Sequence, residues 1–231
     1  MIFIDPKLWQ VKAGYDPVFS KNSWADIIAA CQSGQVPDTW VADGTCYKDM
    51  EINGANYSID IIGKNHDTYA AGGTAPLTFQ MHDCYNDTKR MNSSNTNSGG
   101  WRNCAMRSTH LPAILALMPA EVQAAIKEVQ KKTSAGRQSS SIQATNDKLF
   151  LLSEIEILGS TTYSFAGEGK QYAYYQAGNS KVKNRSGSAN AWWERSPRSS
   201  SSTSFCVVGG NGDVGASNAS NPYGVAFGFC F

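Results

Sequence analysis

Apolar residues recur along this chain in two rhythms. In NSWADIIAACQSG, Trp24, Ile27, Ile28 and Cys31 stand three or four residues apart, which puts them on one face of a helix. Ser23 is suited to cap its N-terminus and Gly34 to end it in the left-handed conformation. In MEINGANYSIDIIG the rhythm shortens to two and is interrupted at Asn53-Gly54, a dipeptide that favours a tight hairpin turn. PLTFQM reads as a further strand. From GGWRNCAMR to EVQKKT the spacing is helical, broken at Pro112 and Pro119. Each proline is suited to a first helical turn, so two or three consecutive helices are expected there. DKLFLLS is expected to be a short buried strand, and GKQYAYYQAG a short aromatic helix or turn.

The last forty residues change character. AWW and GVAFGFCF are strand-like; in the second, Val225, Phe227, Phe229 and Phe231 alternate with Ala226, Gly228 and Cys230. Gly228 inside such a strand predicts close approach of a neighbouring backbone, so the strand should be well covered. Between these segments lies a tract of Ser, Gly and Asn with FCVV, a short buried-strand signal, in its middle. A flexible linker would join domains, whereas this tract joins strands of one domain. It is therefore read as strands and loops with small polar residues at their exposed positions, where recognition tends to sit. Strands at both ends of the chain around a helical middle predict an α+β fold, and no internal repeat is present.

Composition narrows the function classes. The 231 residues are 41% hydrophobic and 11% aromatic, ample for one sizeable domain. A formal net charge of +1 gives no basic face for nucleic acid. No run of about 18 apolar residues predicts membrane insertion, and the start MIFIDPKLWQ lacks the pattern of a signal peptide. Six cysteines, at 31, 46, 84, 104, 206 and 230, form no C-x-x-C pair, so metal-ligand spacing is absent. Their even number permits three disulfides, while a chain made in the cytosol would keep them reduced, and small buried thiols are the expectation.

Candidate chemistry is sparse. His66-Asp67 and His82-Asp83 invite a metal or acid–base reading, but His66 lies in GKNHDTYA, a turn-like stretch where such residues satisfy local backbone groups. NGDVGASN, at 211–218, contains one carboxylate, Asp213, too few for a calcium loop. GGW with the later MR, and GEGKQY, match no nucleotide-binding fingerprint, and the G-x-S-x-G elbow of a nucleophilic serine is missing. No cofactor, no metal and no catalytic residue is expected.

WADIIAACQSG, IDIIGKNHD, LTFQ, MNSSNTNSGGW, AMR, DKLFLLSEIEILG, GEGKQYAYY, WWERSP and GVAFGFCF occur in an order that resembles a domain family of unassigned function, common in gut bacteria and their phages. Its hallmark is Trp-Trp-Leu-Arg-Ser-Pro, a variable polar tract and a Gly-Val-Ala-x-x-Phe-Cys ending. The resemblance covers nearly the whole chain from about residue 23, with one departure: Glu194 stands where the family has Leu, placing a charge beside the paired tryptophans. The resemblance implies a target of a diversity-generating retroelement, in which adenine-directed mutagenesis rewrites a C-terminal segment on a C-type-lectin-like scaffold related to formylglycine-generating enzymes. Residues 1–22 would then be an N-terminal extension, 23–231 a single ligand-binding domain and 195–225 the variable region. Rewriting the adenines of an Asn codon cannot produce Lys, Glu, Gln, Met or Trp. These five types make up about a fifth of the chain, yet none occurs from Arg195 to Phe231, where about seven would be expected from overall composition.

On this reading the ligand-binding face comprises Arg198, Ser200, Ser202, Ser204, Val208, Gly210, Asn211, Asp213, Gly215, Ser217, Asn218 and Tyr223, residue types that paratopes favour. Trp192, Trp193, Arg195, Pro197, Phe227 and Phe229 would be scaffold, with Arg195 using its fork of donors structurally. The implied partner is a surface receptor, protein or glycan, of a host or neighbouring cell. The implied setting is a phage tail tip or a bacterial surface, and oligomers are compatible with it. Two alternatives stand beside it: a structural virion or cell-surface module with no variable ligand, and a formylglycine-generating-type enzyme, which would need reactive cysteines.

Overall fold

A computed structural model describes residues 14–231. MIFIDPKLWQ and most of the 1–22 extension lie outside the described residues. Helix α1 (Trp24–Ser33) opens with a reciprocal capping box between Ser23 and Asp26 and closes on Gly34 at φ 68°. The four apolar residues named above are buried along it, a cap and face arrangement that follows directly from the sequence. Strands β1 (Tyr47–Ile52) and β2 (Ala55–Lys64) form the expected hairpin, with Ile52 opposite Ala55. Asn53 and Gly54 carry the positive φ values, 52° and 75°, that such a turn requires.

β2 pairs with β3 (Leu77–Met81), and β3 with β11 (Gly228–Cys230), giving one antiparallel sheet of order β1-β2-β3-β11. Every residue of β3 is buried. Phe79 at its centre lies among Phe19, Trp24, Phe229 and Phe231, with ring centroids 5.2–6.2 Å away. Phe19 belongs to this core although it precedes residue 23. The terminal segment is covered as expected: isolated bridges join Phe150 to Gly228 and Lys127 to Cys230, and both alternating sets of its side chains are buried.

The middle of the chain contains α2 (Gly100–Asn103), a π-helical turn over Met106–His110 that runs into α3 (Leu111–Leu115), and α4 (Ala120–Ala125). The helical rhythm was expected to continue through EVQKKT. Instead the chain turns to β4 (Val129–Gly136), which pairs with β5 (Ser139–Asp147) in a two-stranded hairpin. β4 alternates inward at Val129, Lys131 and Thr133, a strand pattern masked because its central inward residue is a lysine. Within DKLFLLS, Leu149 to Ser153 are buried as predicted but form no strand; only Phe150 bridges Gly228. Short helices α5 (Glu154–Leu158) and α6 (Ala173–Gln176) follow, then the small hairpin β6 (Lys183–Arg185) and β7 (Ser188–Asn190). The last sheet has order β10-β9-β8, from β8 (Trp192–Pro197), β9 (Ser204–Val208) and β10 (Val214–Asn218). The fold is α+β, with small antiparallel sheets and few helices. No helix among the described residues is long and apolar enough to cross a membrane.

Two glycines lock the segment before α2 against the β4–β5 hairpin. A Cβ on Gly136 would lie 1.8 Å from Asn97 O, and one on Gly100 would lie 2.1 Å from Ser134 O. Both residues have positive φ, 73° and 56°, so steric room and backbone conformation exclude a side chain together. Gly136→Ala is expected to lower stability by at least about 2 kcal/mol, measured as a shift in the denaturant midpoint. An unchanged midpoint would show that the two segments are not locked.

Candidate ligand-binding face

β8 and β9 pair at Trp192–Val208, Trp193–Val207 and Pro197–Phe205. Three residues of β8, Glu194 to Ser196, therefore stand against the single Cys206 of β9, a bulge that bends the strand and re-aims its side chains. Arg195 enters a fully buried site. Its Nη1 and Nη2 donate to Glu156 Oε2 at 2.5 Å and Oε1 at 2.8 Å. Further donations reach Leu151 O (2.8 Å), Glu168 O (2.6 Å) and Thr133 Oγ1 (3.2 Å). The expected structural role of its donor fork is met by groups from β4, α5 and the loops beside them.

Lys131, also buried, extends the network. Its ammonium donates to Asp67 (2.5 Å), Glu156 (3.3 Å) and the Tyr172 hydroxyl (2.7 Å), and Tyr172 and Thr78 donate to Asp67 Oδ2 at 2.9 Å and 2.6 Å. Asp67 thus serves this core network rather than local backbone groups. His82 meets Asp60 at 2.9 Å. Burial works to raise the Asp67 carboxyl, but Lys131 and Thr78 outweigh it and hold it at about 2. Glu156 lies below its ordinary value because Arg195 and Lys131 overcome the effect of burial. Glu168 goes the other way: burial raises it to about 7, against the hydrogen bonds from Ser196 and Ser134 N.

Glu194, expected to place a charge beside the tryptophans, is fully buried, and neither carboxylate oxygen has a hydrogen-bond partner among the described residues. Burial, reinforced by Glu154 and Glu168, pushes it well above the usual carboxylate range.

The remaining scaffold residues, Trp192, Trp193, Pro197, Phe227 and Phe229, are buried as expected. The indole N–H groups of Trp192 and Trp193 donate to Lys181 O and Lys89 O at 3.0 Å and 2.9 Å. Outside this frame the tract comes to the surface. Ser200, Ser202, Asn211, Asp213 and Asn218 are exposed, and Arg198, Gly210, Gly215, Ser217 and Tyr223 are half-buried. Ser204 and Val208 are buried in β9 and do not belong to the face: β9 is the central strand of its sheet, with neighbours on both edges. Arg198 Nε donates to Ser200 Oγ at 3.0 Å, and its guanidinium lies 5.5 Å from the Tyr163 ring. Asn211 and Asp213 bond each other across a turn closed by Gly209 N to Asp213 O at 2.6 Å. Tyr223 stands edge-on to Trp193, with ring centroids 5.1 Å apart.

What holds these loops comes from a stretch quoted only for its resemblance, MNSSNTNSGG. Asn97, fully buried, donates its amide to Ser201 O and Ser204 O, both at 2.8 Å, and its backbone N–H to Ser202 O at 2.9 Å. Its Oδ1 accepts from Arg137 N. Asn92 N donates to Ala219 O, Asn95 Oδ1 accepts from Ser220, and Lys89 exchanges two backbone bonds with Tyr223. A run of Asn and Ser reads as solvated loop, so nothing short of a contact could identify Asn97 as a clamp.

A family model covers this frame and the tract together, over residues 77–230. The chain belongs to the family described as a domain of unknown function (DUF6273). No curated protein and no solved structure matches it. The DUF6273 region begins at β3 and takes in Asn97, Lys131, Arg195 and the whole of the β8–β10 sheet. The cysteines are free, and all but Cys46 are buried. Burial pushes the Cys206 and Cys230 thiols well above their ordinary range.

The buried carboxyls set a pH profile. Glu168, raised to about 7 from 4.5, contributes stability that is full below its unfolded value and lost as pH rises through 7. Glu194 acts in the same direction. Asp67, lowered from 3.8 to about 2, contributes stability above its unfolded value that is lost as pH falls towards 2. The melting temperature is therefore expected to peak between about pH 4 and 6, and a maximum above pH 8 would contradict the assignment. Glu194→Leu removes an unpaired buried carboxyl and is expected to gain about 1–3 kcal/mol at pH 7; a loss would reveal a partner for it.

Proposed function

We propose that this protein is a non-enzymatic binding protein whose C-terminal tract is a hypervariable face, rewritten by a retroelement on a C-type-lectin-like scaffold. The observation that carries the reading is the division of labour within residues 192–231. Side chains that build the core sit on β8, β9 and the terminal segment, while ten of the predicted tract positions, two of them glycines, reach the surface. The loop backbone between β8 and β9 is pinned by Asn97 through main-chain groups. Such a surface tolerates exchange of its side chains with little effect on stability. The missing Lys, Glu, Gln, Met and Trp in this segment support adenine-directed rewriting of Asn codons. The return of the terminal strand to the sheet formed by β1, β2 and β3 supports the lectin-like scaffold.

The partner on this reading is a receptor, protein or glycan, on the surface of a host or neighbouring cell, met from a phage tail tip or a bacterial surface. The suppressed thiols of Cys206 and Cys230 favour binding over formylglycine-type chemistry. Sequencing the gene from many isolates tests the proposal. Differences are expected at adenine positions in codons between 195 and 225, concentrated on the exposed residues and sparse across Ser204–Val208. A near-copy of the 3′ coding segment and a reverse-transcriptase gene should lie nearby. Differences scattered evenly over the chain would defeat the proposal.

A further inference from the structure

The stretch GEGKQY, which fits no nucleotide fingerprint, helps to build a second concavity. A cleft of about 330 Å³ is lined by His66, Gln130, Lys132, Gly167, Gly169 and Lys170, together with the outer edge of the buried ionic network, and by no residue of the 198–223 tract. His66 stacks on Tyr172 at 4.0 Å and forms one wall. Lys132 and Lys170 are exposed, and neither forms a salt bridge among the described residues. The backbone N–H groups of Gly167, Glu168, Gly169 and Lys170 likewise donate to no protein acceptor among those residues.

The glycines explain how such a loop can lie where it does. Gly167 and Gly169 have φ of 96° and 130°, and a Cβ on Gly169 would lie 2.8 Å from Glu156 Oε1. Only glycine lets the backbone run this close over the network in that conformation. The carboxylates nearby are already committed. Asp67 and Glu156 are countered by Lys131 and Arg195, and the two oxygens of Glu168 accept from Ser134 N and Ser196 Oγ. The lining therefore retains two uncompensated ammonium groups and a run of free amides, the two elements from which oxyanion sites are built.

We propose that this cleft binds a phosphate-type oxyanion, held by the ammonium groups of Lys132 and Lys170 and the backbone amides of residues 167–170. The proposal is independent of the tract and of what the tract binds. Titration of the ¹⁵N-labelled full chain with inorganic phosphate at constant ionic strength tests it. Saturable shifts are expected at the amides of 167–170, with a dissociation constant on the order of 1 mM. The double variant Lys132→Gln/Lys170→Gln should melt at the wild-type temperature, since both side chains are exposed and unpaired, and should bind at least about tenfold more weakly. A parallel titration with O-phosphoserine distinguishes the source. Tighter binding than phosphate marks a phosphate group carried on a larger molecule, and weaker binding marks the free ion. Shifts that fail to saturate, that spread over unrelated surface lysines, or that persist unchanged in the double variant would overturn the proposal.

Discussion

The buried ion pair between Arg195 and Glu156 is the contact around which the rest of the molecule is arranged. Both groups are almost wholly removed from water, and an isolated charge in that position would cost several kcal/mol. The cost is offset only if every donor and acceptor finds a partner in good geometry. That requirement recruits Leu151 O, Glu168 O and Thr133 Oγ1 to Arg195, and Lys131, with Asp67, Tyr172 and Thr78 behind it, to Glu156. β3, β4, α5, α6 and β8 are thereby fixed relative to one another by directional bonds. Apolar packing alone, which is non-directional, would hold them close without fixing their registry. The β8 bulge is the local price of bringing Arg195 to this point.

The same network accounts for the contrast between Glu156 and Glu194. Glu156 is charged because two cations face it. Glu194, one residue before Arg195, projects where no donor among the described residues reaches, and burial pushes its carboxyl upward. A leucine at 194 would need no partner there, whereas Glu introduces two oxygens that no donor among the described residues meets.

The elements that were legible in the sequence are those whose signals are local. The cap, apolar face and terminating glycine of α1, the Asn53-Gly54 hairpin and the covered aromatic C-terminus each follow from a few adjacent residues. β4 was not legible, because its inward positions include Lys131, and a buried lysine is recognisable only once Asp67, 64 residues earlier, is known to meet it. DKLFLLS shows the opposite error: its burial was legible, but strand geometry needs a partner that offers more than one bridge. Ser204 and Val208 failed as surface residues because alternation in composition does not say which strand is central. Asn97 could not have been found at all from composition, since its role lies in bonds to residues more than a hundred positions away.

Asn97 holds the loop between β8 and β9 by the carbonyls of Ser201, Ser202 and Ser204, and Ser199 N reaches Tyr163 O. None of these bonds involves a side chain of the loop. A clamp that grips only the peptide backbone is blind to sequence, so these bonds set no demand on which side chains residues 199–203 carry. Exchanging them would alter charge, size and hydrogen-bonding capacity at the surface while leaving the clamp itself in place.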